Sequence, residues 1–129
     1  MWLVLLCLAV ACAPAATPRG AVAPGVLVVR DGDGRVLVNV ALGLAAYPGS
    51  RVLAQRYEGS ASRTEFETAD ALEAVYDFYH RALLARRWTR ASFTLRGETR
   101  IEARYVGPSD DVNLSLERLA GGRYRLELR

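Results

Sequence analysis

The chain contains no lysine; all 17 of its basic residues are arginine. Its cysteines are Cys7 and Cys12, and none follows. It has one histidine, His80, and one isoleucine, Ile101. Each scarcity excludes something. Without cysteine beyond residue 12 there is no disulfide framework, no catalytic thiol and no thiolate zinc site in the folded part. A lone histidine with no cysteine or carboxylate cluster is a poor metal site, so neither a metal nor a cofactor is expected. No phosphate loop, no G-x-S-x-G and no dinucleotide fingerprint occurs. The net charge of +3 is far below that of a dedicated nucleic-acid binder, and no nucleic acid is expected as a partner. Missing lysine and scarce isoleucine, beside abundant Ala, Gly, Leu and Val, read as GC-rich coding rather than as a functional choice.

What is present begins with Trp2 to Val10, an apolar run of signal-peptide length and too short to span a bilayer. It leads into Ala9-Val10-Ala11-Cys12. Small residues before a cysteine resemble the lipobox of bacterial lipoprotein signal peptides, in which the peptide is cut before the cysteine and its thiol is lipidated. That resemblance implies a signal at 1–11, a lipidated Cys12 that holds the chain to the membrane, and an extracytoplasmic location. Ordinary secretion, with cleavage near Ala13-Pro14-Ala15, and an uncleaved anchor are the alternatives. Residues 12–25, rich in Ala, Pro, Gly and Thr, read as a flexible tether. Residues 26–129 read as a single domain, and with 51% apolar residues a real core is available to it.

Asp70 to Trp88 predicts the one long helix of that domain, at about 70–87. Asp70 is the expected N-cap, with Glu73 completing a capping box and Thr68 as the alternative cap. Leu72, Val75, Tyr76, Tyr79, Leu83 and Arg86 form one helical stripe. Phe78 and Leu84 lie off it. Asp77 and Arg81 form a favourable pair four apart, worth about 0.3 kcal/mol when exposed.

The remainder reads as strands and turns. Val26–Arg30 and Arg35–Leu42 flank Asp31-Gly32-Asp33-Gly34 as a hairpin. Asp-x-Asp-Gly also begins some calcium loops, but the other ligands of such a loop are missing. Tyr47-Pro48-Gly49-Ser50 is a turn. Arg51–Glu58 alternates, with Leu53, Gln55 and Tyr57 opposite Val52, Ala54 and Arg56, and Arg63–Thr68 returns from it. Thr89–Arg96 places Ala91, Phe93 and Leu95 on one face. Arg100–Val106 turns Ile101, Ala103 and Tyr105 inward; Val112–Leu119 turns Val112, Leu114 and Leu116; Arg123–Arg129 turns Tyr124, Leu126 and Leu128. Period two with one apolar and one charged face predicts an α+β fold. Its sheet is an antiparallel meander of about six to eight strands, with the helix packed on one face.

Tyr47-Pro48-Gly49-Ser50, Phe66-x-Thr68-x-Asp70 and Val75-x-x-Phe78-Tyr79-x-x-x-Leu83, followed by Trp88, resemble a small extracytoplasmic domain of bacterial lipoproteins and secreted proteins. Its pattern is Y-P-G-[AS], F-x-T-x-D, then V-x-x-F-Y-x-x-x-L-x-x-x-G-W. The resemblance covers Tyr47 to Arg129 and implies a location and an architecture but no activity. Arg87 departs from it, standing where the pattern has the glycine that closes the helix.

Three groups of residues are candidates for function. The outward sheet face would carry Arg96, Arg100, Arg104, Arg123 and Arg125, with Arg90 and Arg129, among Glu98, Glu102, Glu117 and Glu127. It is either a solvated face of cross-strand charge pairs or a surface for an envelope protein or anionic polymer. Tyr76, Tyr79 and Trp88 would line a pocket for a small apolar ligand between helix and sheet. His80, with Asp77 three residues away and no nucleophile in view, reads as a surface residue. A non-enzymatic, lipid-anchored binding or assembly module is the expected function, and a small-ligand binder is the alternative.

Overall fold

The structure, a computed structural model, describes residues 21–129. The apolar run from Trp2, the cut before Cys12, Cys12 itself and the tether up to residue 20 lie outside the described residues. Among the described residues no helix is long and apolar enough to cross a membrane.

The fold is α+β, dominated by sheet. The strands are β1 (Ala21–Val22), β2 (Val29–Arg30), β3 (Val36–Asn39), β4 (Leu44–Ala45), β5 (Arg51–Glu58) and β6 (Ala61–Glu67). Helix α1 (Leu72–Ala85) follows, then β7 (Thr89–Arg96), β8 (Arg100–Val106), β9 (Asp111–Arg118) and β10 (Arg123–Leu128). Seven strands form the main sheet in the order β1-β5-β6-β10-β9-β8-β7, and β2-β3-β4 form a small one.

Two expectations are corrected here. The main sheet is mixed, because β1 pairs parallel with β5; the fold therefore includes Ala21–Val22, which the composition assigns to the tether. Nor is the sheet one meander. The β5–β6 hairpin and the β7–β10 meander are separate blocks, joined where β10 pairs antiparallel with β6. The chain leaves β6 in mid-sheet and re-enters at the far edge. Four inter-strand steps come to about 19 Å, and a helix of 14 residues is about 21 Å long. Helix α1 is thus long enough to make that crossing, and it covers the inner face as it does so.

The helix buries Leu72, Val75, Tyr76, Tyr79 and Leu83 against Tyr105, Val112, Leu114, Leu116 and Tyr124. Asp77 and Arg81 pair at 2.9 Å. Its N-terminus is not capped by Asp70. Ala71 takes the cap position in extended backbone, with no side-chain cap. The Asp70 carboxylate instead accepts the hydroxyl of Tyr47, and the Asp70 amide donates to the Thr68 hydroxyl at 3.3 Å. At the other end the amide of Arg87 donates to Leu84 O at 3.0 Å and that of Trp88 to Leu83 O at 3.1 Å. This is a Schellman closure, and Arg87 occupies its left-handed position at φ 66°.

The small sheet is a second cover that the sequence pattern did not reveal beyond its first hairpin. All four residues of β3 are buried. Polar side chains bind it to β5 and β6. Gln55 donates to Val38 O at 3.2 Å, and the Tyr57 hydroxyl to Leu37 O at 2.8 Å. The Asn39 amide donates to the Ser62 hydroxyl and to Ser60 O, both at 3.0 Å. Buried Asn39 and Ser62 are in this way satisfied. Asp31 turns one carboxylate oxygen onto the amides of Asp33 and Arg35, at 2.9 Å each, and closes the hairpin.

Bulges reset two faces. The β5–β6 register slips between Val52 and Ala54. Val52 therefore pairs beside buried Phe66, while Gln55 and Tyr57 still pair with buried Thr64 and Ser62. The expected split of Val52 from Gln55 and Tyr57 does not hold, and Leu53 is the extra residue. The β7–β8 register slips between Arg90 and Ser92. Phe93 and Leu95 then pair with Ala103 and Ile101 on the helix side, but Ala91 is the extra residue of the bulge. All of β7 is exposed.

Candidate functional site

The five arginines expected on the outer face divide by partner. Arg96 pairs with Glu102 at 2.6 Å. Arg100 pairs with Glu102 at 3.1 Å and approaches Glu117 at 4.0 Å. Arg104 pairs with Asp111, and Arg125 with Glu65 at 3.2 Å. Arg123 donates to Ala120 O at 3.3 Å. Four guanidinium groups already have a carboxylate across a strand. Exposed pairs of this kind contribute about 0–1 kcal/mol each and leave little unbalanced charge for an anionic polymer. Arg90 is not on this face. It pairs in register with inward Tyr105, donates to the Tyr76 hydroxyl at 3.3 Å and lies over the Phe93 ring at 5.1 Å.

Tyr76, Tyr79 and Trp88 do not line one pocket. Tyr79 is fully buried, and burial pushes its hydroxyl pKa far up. Tyr76 is buried, with its hydroxyl bound to that of Tyr105. Trp88 lies at the end of the helix, its ring against the backbone of Gly107, where a Cβ would come within 2.8 Å of Cζ3. Trp88 borders a groove of about 280 Å³ together with Leu42, Pro108, Val112 and Leu128. Neither Tyr76 nor Tyr79 lines that groove.

The structure instead assembles a cluster that sequence reasoning missed. Nδ1 of His80 is 2.8 Å from the Tyr105 hydroxyl, which is 2.7 Å from the Tyr76 hydroxyl. A guanidinium only donates, so the Tyr76 oxygen accepts from Arg90. Between the Tyr76 and Tyr105 hydroxyls either atom can donate, and Nδ1 of His80 donates or accepts according to its tautomer. Burial lowers the His80 pKa first, and the Arg90 charge lowers it further; Asp77 opposes and Arg81 adds to the lowering. Burial raises the Tyr105 pKa, with the Tyr76 hydrogen bond adding to it. The Tyr76 and His80 rings stack at 5.7 Å, and Phe93 tilts against Tyr76 at 5.3 Å. The four-residue spacing of Tyr76 and His80 and the inward phase of Tyr105 were visible in the sequence. Their meeting was not, because it depends on where the helix crosses the sheet.

Four of the motif residues, Tyr47, Phe66, Asp70 and Phe78, form a clamp with Tyr124. The Tyr47 hydroxyl donates to Asp70, which raises the Tyr47 pKa to about 12, with burial adding to the shift. Tyr47 packs edge-on to Phe78 at 5.5 Å. The Tyr124 hydroxyl donates to Asp70 O at 2.6 Å, and Tyr124 stacks on Phe66 at 5.6 Å. The turn before β5, the entry to α1 and β10 are joined at one point.

No protein-family model matches the chain, and no curated protein matches it. Among the described residues no three of His, Cys, Asp and Glu converge to hold a metal ion.

Proposed function

We propose that the chain is a lipid-anchored domain of the bacterial envelope, held to the membrane through Cys12, that acts by binding or assembly and not by catalysis. The resemblance of Ala9-Val10-Ala11-Cys12 to a lipobox supports the anchor. The observation that carries the binding reading is β7. It is an edge strand exposed along its whole length, with Phe93 at 45% and Leu95 at 53% exposure. An uncovered edge of this kind is a template for another strand. Ion pairing across the outer face favours a protein partner over an anionic polymer. The motif residues resembling the extracytoplasmic lipoprotein domain fit this reading, as a clamp that holds the scaffold together.

A small apolar ligand is the second reading, and the groove beside Trp88, Leu42, Val112 and Leu128 is what favours it. Its volume is at the lower end of the about 300–1,000 Å³ usual for ligand pockets. Gentle detergent extraction followed by native mass spectrometry separates the two. A binding or assembly module emerges with a second polypeptide. A ligand carrier emerges alone with a small-molecule mass. A chain that emerges alone and empty contradicts both.

A further inference from the structure

We infer that β7 is the surface through which two copies of this chain assemble, by antiparallel pairing about a two-fold axis at Thr94. This rests on the binding-or-assembly reading and names its partner. The other edge of the main sheet, β1, is two residues long. Strand β7 is eight residues long. Its bulge lies at its start, between Arg90 and Ser92, so Ser92 to Arg96 form a regular ladder edge.

Charge points to a second copy. The β7–β8 hairpin carries Arg90, Arg96, Glu98, Arg100, Glu102 and Arg104. Four of them are ion-paired at home. Among the described residues Arg90 and Glu98 have no ion-pair partner; Arg90 has only the Tyr76 hydroxyl and the Phe93 ring. Pairing about Thr94 sets Phe93 of each copy opposite Leu95 of the other. It places Arg96 opposite Ser92 and brings Arg90 of each copy alongside the turn that bears Glu98 of the other. The leftover charges and the exposed apolar side chains are satisfied together, twice over. Neighbouring registers do worse. Centring on Phe93 sets Leu95 against Ala91, the extra residue of the bulge, and loses both Phe–Leu pairs. Centring on Leu95 sets Phe93 against Gly97 and loses both Phe–Leu pairs. Two domains tethered to one membrane meet at high effective concentration, so a short ladder is enough.

The test is cysteine cross-linking of the full chain in its own membrane, with the unsubstituted chain as control for the native cysteines. Thr94 lies opposite itself in the proposed pair. Cβ atoms opposite each other in an antiparallel pair are about 4.5–5.5 Å apart, near disulfide reach. Thr94→Cys is expected to form a disulfide dimer about tenfold more readily than Ser92→Cys, which lies opposite Arg96. Adding Leu95→Glu to Thr94→Cys is expected to abolish the dimer, while the melting temperature shows that the domain still folds. Equal cross-linking of Thr94→Cys and Ser92→Cys overturns the proposal, as does capture of a different protein at Thr94→Cys. No cross-link from a chain that is still membrane-bound overturns the second copy and leaves the anchor standing. A Thr94→Cys dimer of a chain that is not membrane-bound does the reverse.

Discussion

Nδ1 of His80 is hydrogen-bonded to the Tyr105 hydroxyl at 2.8 Å across 25 residues of chain, and Arg90 stands at the far end of the same chain of bonds. A protonated His80 has only donors, so its Nδ1 then donates to the Tyr105 hydroxyl, and its charge is opposed by the like charge of Arg90.

The pH dependence follows from the sign of the shift. The folded His80 pKa is lowered, so the unfolded chain takes up the proton first. The stabilisation is fully present above the ordinary histidine value near 6.5 and is lost as pH falls through the lower folded value. His80→Asn keeps an acceptor near the Nδ1 position and does not titrate. Chemical denaturation between pH 7.5 and about 4.5 is expected to show a loss for the native chain that is smaller in His80→Asn. Equal losses in both would contradict the lowered His80 pKa.

Arg87 holds the left-handed position of the helix closure at φ 66°, a conformation that costs a residue with a side chain about 1 kcal/mol. Arg87→Gly is expected to stabilise the domain by about 1 kcal/mol and to raise the melting temperature by about 4 °C. An unchanged or lower melting temperature would contradict this.

How much was legible follows from these elements. β8, β9 and β10 read correctly because each alternates without interruption between a buried apolar face and a charged one. Arg87 was legible as the left-handed position because it stands where the resembled pattern has the glycine that closes the helix. β5 and β7 misread because a bulge adds one residue and shifts the phase, which periodicity alone does not show. Asp70 misread as a cap because its carboxylate is taken by Tyr47, 23 residues away. The His80 cluster was invisible for the same reason, since three elements supply it. Arg90 was misplaced on the outer face because the β7 bulge turns it inward.

Gly107 has no positive φ; it is a glycine because the Trp88 ring lies on it. Gly107→Ala places a Cβ within 2.8 Å of that ring and is expected to cost about 1–3 kcal/mol, as overpacking does. In a Trp88→Leu background the same substitution is expected to cost much less. A double-mutant cycle by denaturant unfolding measures the coupling. Additive effects would contradict the contact.

Tyr47, bound to Asp70, has its pKa raised from 10.0 to about 12. A raised folded value means that stability is complete below pH 10 and is lost as pH rises toward 12. Tyr47→Phe removes this contribution. Its alkaline unfolding limb, followed by circular dichroism, is expected to be shallower than that of the native chain. A limb of unchanged steepness would contradict the Tyr47–Asp70 bond.

The central claim is the membrane anchor, and the intact mass of the chain recovered from cell fractions tests it most directly. The account predicts a chain in the membrane fraction that starts at Cys12 and carries a lipid mass. In Cys12→Ala both the lipid mass and the membrane association are lost. A chain that begins at Met1 or Trp2 and stays in the soluble cytoplasmic fraction would contradict it.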